Sequence, residues 1–133
     1  MSLNRMWQQR QTTKYNGAPY PQQRGLTAAL SPEGMVQADK NIAEYKKNAS
    51  LITNVLDEKN IFYSGGKNSP YIWFRCPNKM NSWDFFDYLL DKVNVVGTPG
   101  VGFGSCGENY FRLTTFNTYE NTKEAMQRIR GIL

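Results

Sequence analysis

Asn109-Tyr110-Phe111-Arg112-Leu113-Thr114-Thr115-Phe116 reads as a half-buried β-strand with a single arginine set into it. Side chains alternate across a strand, so Tyr110, Arg112 and Thr114 share one face while Phe111, Leu113 and Thr115 share the other. The apolar face belongs to a core, and the arginine stands on the more polar side. A guanidinium among aromatic and β-branched neighbours is costly unless it meets an anion. Two anions can satisfy it: an internal Asp or Glu, the commoner partner of a lone strand arginine, or the carboxylate of a ligand.

N-terminal to this strand, Val95-Val96-Gly97-Thr98-Pro99-Gly100 reads as a strand that enters a glycine-rich loop, Gly100-Val101-Gly102-Phe103-Gly104. The loop holds a G-x-G but not the full G-x-G-x-x-G, and it leads into a strand instead of opening a helix. A phosphate cradle is therefore disfavoured, and a flexible loop shaping the mouth of a site beside Arg112 is the expected role. On the other side, Asn117 with Glu120 resembles a capping box opening a last helix that turns Ala125, Met126, Ile129 and Leu133 inward. Earlier, Ser82 is expected to cap a helix with Phe85, Phe86, Leu89, Leu90 and Val93 at helical spacing. Before it come two short strands, Ile61-Phe62-Tyr63-Ser64, ended by Gly65-Gly66, and Tyr71-Ile72-Trp73-Phe74-Arg75-Cys76, stopped by Pro77.

Ser31-Pro32-Glu33 is a strong helix start: a capping hydroxyl, a proline at the first helical position and an acid facing the macrodipole. Met35, Ala38, Ile42, Tyr45, Ala49, Ile52 and Leu56 recur at helical period, which predicts a helix ending near Lys59-Asn60 and about 40 Å long. Residues 4–30 read as two shorter helices broken by Asn16-Gly17 and Pro19-Tyr20-Pro21, with too little apolar surface to fold alone. From the long helix onward the order is helix, strand, strand, helix, strand, strand, helix. That order predicts an α/β sandwich, a small sheet packed by helices.

The chain has 133 residues, 40% hydrophobic and 20% charged, with a net charge of +5. This is the size and composition of one ordinary globular domain, without an apolar run of membrane length. The basic residues are dispersed and form no stripe with interleaved stacking aromatics, so neither nucleic acid nor membrane is expected as a partner. There is no histidine, which removes histidine catalysis and typical zinc sites. Cys76 and Cys106 are isolated, in keeping with a reducing, cytoplasmic setting. None of the nine lysines sits in an apolar stretch suited to Schiff-base work. Met1-Ser2-Leu3 reads as an expression leader.

Three stretches in this order and spacing carry a family resemblance: Ser82 to Leu90, Val95 to Gly104, and Gly107 to Thr114. Together they resemble the C-terminal part of fold-type I, pyridoxal-phosphate-dependent aminotransferases, and among these the LL-diaminopimelate aminotransferases most of all. Arg10 to Gly17, Gln23-Arg24-Gly25 and Ala28 to Gly34 are similar to the segment of that family that follows its cofactor lysine. The resemblance implies that residues 4–30 are the end of a large cofactor domain, 31–60 a long connecting helix, and 61–133 a small domain. It implies that Arg112 binds a substrate α-carboxylate and that Asn16 reaches cofactor and substrate, although an Asn-Gly pair is equally a turn. It further implies pyridoxal 5'-phosphate as cofactor, LL-diaminopimelate and 2-oxoglutarate as substrates, and a homodimer. The Schiff-base lysine has no counterpart in this chain, so the chain alone is expected to bind no cofactor and to be inactive. A related aminotransferase with an aspartate, alanine or aromatic donor, or a non-enzymatic module of the same fold, are the alternatives.

Overall fold

A computed structural model describes residues 2–15 and 17–133 of the chain. They fall into two compact units, one through Lys40 and one from Asn41 to Leu133.

In the first unit, α1 (Leu3–Lys14) and α2 (Tyr20–Ala29) form where the sequence places two short helices, and neither buries a residue. The predicted cap at the start of α3 (Pro32–Glu58) is present: the Ser31 hydroxyl accepts the Gly34 N–H at 3.1 Å. Gly34 is required by close approach, since a Cβ there would run into the backbone carbonyls of Ala28 and Ala29. The helix has 27 residues and ends close to the predicted Lys59-Asn60, but its apolar stripe is used unevenly. Ala49, Ile52, Val55 and Leu56 are buried, whereas Met35 and Ile42 stay about half exposed, at 47% and 48%.

The second unit is built on a four-stranded antiparallel sheet of order β1-β2-β4-β3, where β1 is Tyr63–Gly65, β2 Tyr71–Arg75, β3 Thr98–Pro99 and β4 Tyr110–Thr114. α4 (Ser82–Val93) and α5 (Tyr119–Arg130) complete the predicted order of elements. The alternation within 109–116 holds: Phe111, Leu113 and Thr115 are buried, and Arg112 is on the opposite face. Ile72 and Phe74 of β2 join Phe111 and Leu113 in a core completed by Phe85, Leu89 and Val93 of α4, the buried stripe of α3, and Met126 and Ile129 of α5. The fold is therefore the α/β arrangement expected, with helices on one face of a small sheet.

Three local expectations are corrected. α4 is capped by Asn81, whose side chain accepts the Asp84 N–H at 2.8 Å, because the Ser82 hydroxyl is turned inward to other partners. α5 is capped by Thr118 and not by Asn117, whose side-chain oxygen instead accepts the Thr118 N–H at 2.8 Å. The strand read over Val95–Gly100 shrinks to Thr98–Pro99, since the Val95 N–H bonds back to Leu89 and Gly97 lies against the Phe111 ring.

Two long-range polar contacts fasten the unit. The fully buried Asn48 amide of α3 donates to the backbone carbonyls of Thr115 at 3.0 Å and Asn117 at 2.7 Å, which ties the end of β4 to the helix. Arg128 donates to the Val93 carbonyl at 2.7 Å, satisfying an orphan acceptor at the C-terminus of α4 where a cation is also favoured by the dipole.

Candidate functional site

Arg112 sits at the middle of β4, opposite Trp73 of β2 on one side and Thr98 of β3 on the other. Its guanidinium carbon lies over the Tyr71 ring at 4.4 Å and over the Phe103 ring at 4.5 Å. Its Nε is shut away from solvent without a hydrogen-bond partner. Among the described residues the ion pairs are Lys47–Glu44, Arg128–Glu124 and Arg130–Glu58. The internal carboxylate that the sequence allowed as the partner of Arg112 is thus not there. Two aromatic faces favour the cation by about 0.5–2 kcal/mol each, but they leave its in-plane N–H donors to be satisfied by something else.

Several aromatic rings gather on this sheet face. Trp73 stacks on Tyr110 with centroids 5.8 Å apart and meets Phe103 edge-on at 5.6 Å. Tyr71 meets Phe116 at 5.6 Å, and Phe116 meets Tyr45 at 5.2 Å. Arg75, a second cation on this sheet face, leans over Tyr110 at 5.8 Å. Beyond Phe116 opens a groove of about 380 Å³ lined in part by Ile42, Tyr45, Lys46 and Lys67. Tyr71, Trp73 and Phe103 were not among the residues singled out from sequence. The signal for Tyr71 and Trp73 was available, because the two alternate onto one face of β2, but it acquires meaning only once β2 is paired with β4.

Phe103 arrives from the glycine-rich segment, which forms two 3₁₀ turns, Gly100–Phe103 and Ser105–Gly107. The segment is pressed on the start of β4 so closely that a Cβ on Gly100 would stand 2.6 Å from the Tyr110 carbonyl oxygen and one on Gly107 would strike the Gly100 carbonyl. The Ser82 hydroxyl reaches the carbonyl oxygens of Tyr110 at 2.9 Å and Gly107 at 3.2 Å. The Glu108 carboxylate accepts N–H groups from Ser82 at 2.8 Å and Asn109 at 3.1 Å, so it serves the N-terminus of α4 from a distant part of the chain. The loop, the helix start and the Arg112 strand are thereby one hydrogen-bonded corner.

The Ser82 N–H, followed by that of Asn109, holds the Glu108 carboxyl below the usual carboxylate range. A folded-state value below the unfolded one means stability that is present above the unfolded carboxylate range and lost as pH falls through the folded value. Wild type is therefore expected to lose thermal midpoint between about pH 5 and pH 3 more steeply than Glu108→Gln, with unfolding followed by circular dichroism. Parallel profiles would mean that Glu108 is not an ionised cap.

The other candidates are quieter. Burial, then the Glu108 charge, pushes the Cys76 thiol up to about 12, so it stays protonated; Cys106 is exposed, and both are free. No group of three or more His, Cys, Asp or Glu among the described residues could hold a metal ion. No described helix is long and apolar enough to cross a membrane. Asn16, the second site residue expected from resemblance, lies outside the described residues.

Residues 6–129 match the family described as aminotransferase class I and II. The LL-diaminopimelate aminotransferase of Methanosphaera stadtmanae is 52% identical over 129 residues, which are 97% of this chain and 31% of the relative. That of Lawsonia intracellularis is 51% identical over 131 residues, 98% of this chain and 32% of the relative. Among solved structures, L,L-diaminopimelate aminotransferase from Chlamydomonas reinhardtii superposes with a TM-score of 0.85 at 37% identity, covering 95% of this chain and 31% of that one. An aromatic aminotransferase from Pyrococcus horikoshii superposes with a TM-score of 0.74 at 27% identity, covering 80% of this chain and 29% of that one. The chain spans about a third of the length of the curated relatives it matches. With its helix-backed antiparallel sheet and nearly its whole length inside the match, the chain belongs to the aminotransferase class I and II family.

Proposed function

We propose that this chain is the C-terminal, substrate-carboxylate-binding part of a pyridoxal-phosphate-dependent aminotransferase that uses LL-diaminopimelate as donor and 2-oxoglutarate as acceptor. The observation that carries the reading is an arginine on a sheet face with aromatic walls and no internal carboxylate among the described residues. The names of the relatives supply the donor. In this reading residues 4–30 end a cofactor domain, 31–60 form the connecting helix, and 61–133 form the small domain of a cytoplasmic homodimer. Asn16 contacts cofactor and substrate.

The part of the chemistry assigned to this chain is binding and orientation. Arg112 presents two parallel N–H donors to the α-carboxylate, a charge-assisted pair that fixes the plane of that group and, through it, the direction of the Cα–H bond. Pyridoxal phosphate would supply electron withdrawal from the amino acid when bound, and it needs a lysine for its Schiff base. Every lysine here is exposed except Lys59, which is half-buried, so the residues present do not themselves fit that group and no step is routed through it.

Steady-state assays of the complete protein with LL-diaminopimelate, aspartate, alanine and phenylalanine as donors test the reading. LL-diaminopimelate should lead by at least about tenfold in kcat/KM. A lead for phenylalanine would move the assignment toward the aromatic relatives, and no transamination with any donor would overturn it.

A further inference from the structure

We propose that Phe103 is a positioning residue for Arg112, and that the glycine-rich segment exists to deliver it. The inference rests on the reading of Arg112 as a carboxylate grip and adds a part that the grip requires.

An arginine side chain on an open sheet face turns about several bonds and loses much of that rotamer freedom when it binds. Arg112 is held instead between features that belong to different parts of the chain. Tyr71 supplies one ring from the neighbouring strand, at 4.4 Å. Phe103 supplies the second, at 4.5 Å, from a segment with no strand partner of its own. Rings of this kind attract a guanidinium through its charge and give its N–H groups no strong hydrogen-bond acceptor. With two rings against it and its Nε shut away, Arg112 has its terminal N–H groups, which share the guanidinium plane, left for a ligand. Such a presentation suits a planar carboxylate approaching edge to edge better than a tetrahedral oxyanion.

The loop has the construction that such a task needs. Phe103 is 54% exposed, so the hydrophobic core does not hold it there. What holds it is the contact of Gly100 and Gly107 with one another and with Tyr110, together with the Ser82 hydroxyl on the Gly107 and Tyr110 carbonyls. Trp73 closes on the Phe103 ring edge-on at 5.6 Å and limits its swing. An exposed aromatic held this firmly over a cation without a carboxylate is explained by the cation's task.

The test uses the 133-residue chain with labelled arginine, following the Arg112 Nε–Hε resonance by NMR while acetate or inorganic phosphate is added. In the wild type the resonance should carry a ring-current shift and respond to acetate at lower concentration than to phosphate. Phe103→Leu should abolish much of the ring-current shift and weaken the acetate response about fivefold, and Phe103→Tyr should restore both. Because Phe103 is largely exposed, Phe103→Leu should keep the wild-type thermal midpoint within about 2 °C, which separates positioning from folding. Equal acetate responses in wild type and Phe103→Leu would overturn the inference while leaving the Arg112 grip intact. A wild type that responds to neither anion would overturn the grip and the inference with it.

Discussion

Arg112→Ala in the complete protein is expected to lower kcat/KM for the amino donor about a thousandfold, because truncating one side of a desolvated charge pair costs roughly 2–5 kcal/mol and each 1.4 kcal/mol is a factor of ten. The loss should be seen with the oxo-acid acceptor as well, since both substrates bring an α-carboxylate to the same guanidinium. Arg112→Lys should recover little of it. An ammonium is a point charge that cannot make two parallel bonds, and it would forfeit its fit between the Tyr71 and Phe103 rings. Unfolding measured alongside the kinetics makes the result specific: Arg112 has no salt bridge among the described residues, so its removal should cost little stability. A variant that unfolds easily yet turns over normally would identify a structural arginine.

The largest expected effect on stability is at Phe85. This side chain is wholly buried in α4 and meets Phe111 edge-on at 5.1 Å and Phe74 at 5.8 Å, while Phe111 and Phe74 meet at 5.9 Å. The three rings join α4 to β2 and β4 directly beneath the face that carries Arg112. Phe85→Ala removes a ring from a packed trio and leaves a cavity that the two partner rings cannot close together, a change of about 3–5 kcal/mol. Against a total of about 5–15 kcal/mol for an ordinary domain, this should shift the urea midpoint of the chain strongly downward. A loss under about 1 kcal/mol would mean that the trio is not packed as described.

What could be read from sequence was local. The alternation around Arg112 was legible because a strand of period two with one apolar face admits a single assignment. The start of α3 was legible because hydroxyl, proline and acid act within one turn. The caps of α4 and α5 were each misplaced by one residue, in α4 for a reason that lies far along the chain. Asn81 and Ser82 are both good capping types, and the choice falls to Asn81 because the Ser82 hydroxyl is engaged by the carbonyls of Gly107 and Tyr110, over 20 residues away. The short β3 has a similar origin, in the Phe111 ring that occupies the space beside Gly97.

The site divides in the same manner. That Arg112 needs an anion followed from desolvation alone, but that no internal carboxylate meets it required the placement of every Asp and Glu in the described chain. The rings over it come from Tyr71 and Phe103, on a different strand and a loop, so nothing in the strand's own eight residues could indicate them. Asn48 was passed over because a polar residue on a long helix ordinarily faces water. Its role is set by the orphan carbonyls of Thr115 and Asn117, which lie beyond the end of β4.

In the proposed function, the Arg112 guanidinium receives the carboxylate of the substrate. A crystal structure of the complete protein with 2-oxoglutarate or LL-diaminopimelate bound tests it most directly. Two nitrogens of Arg112 are expected at about 2.7–2.9 Å from the two oxygens of one ligand carboxylate, with the Tyr71 and Phe103 rings still against the guanidinium. A ligand carboxylate held by other residues, with Arg112 paired to an Asp or Glu of the protein, would contradict it.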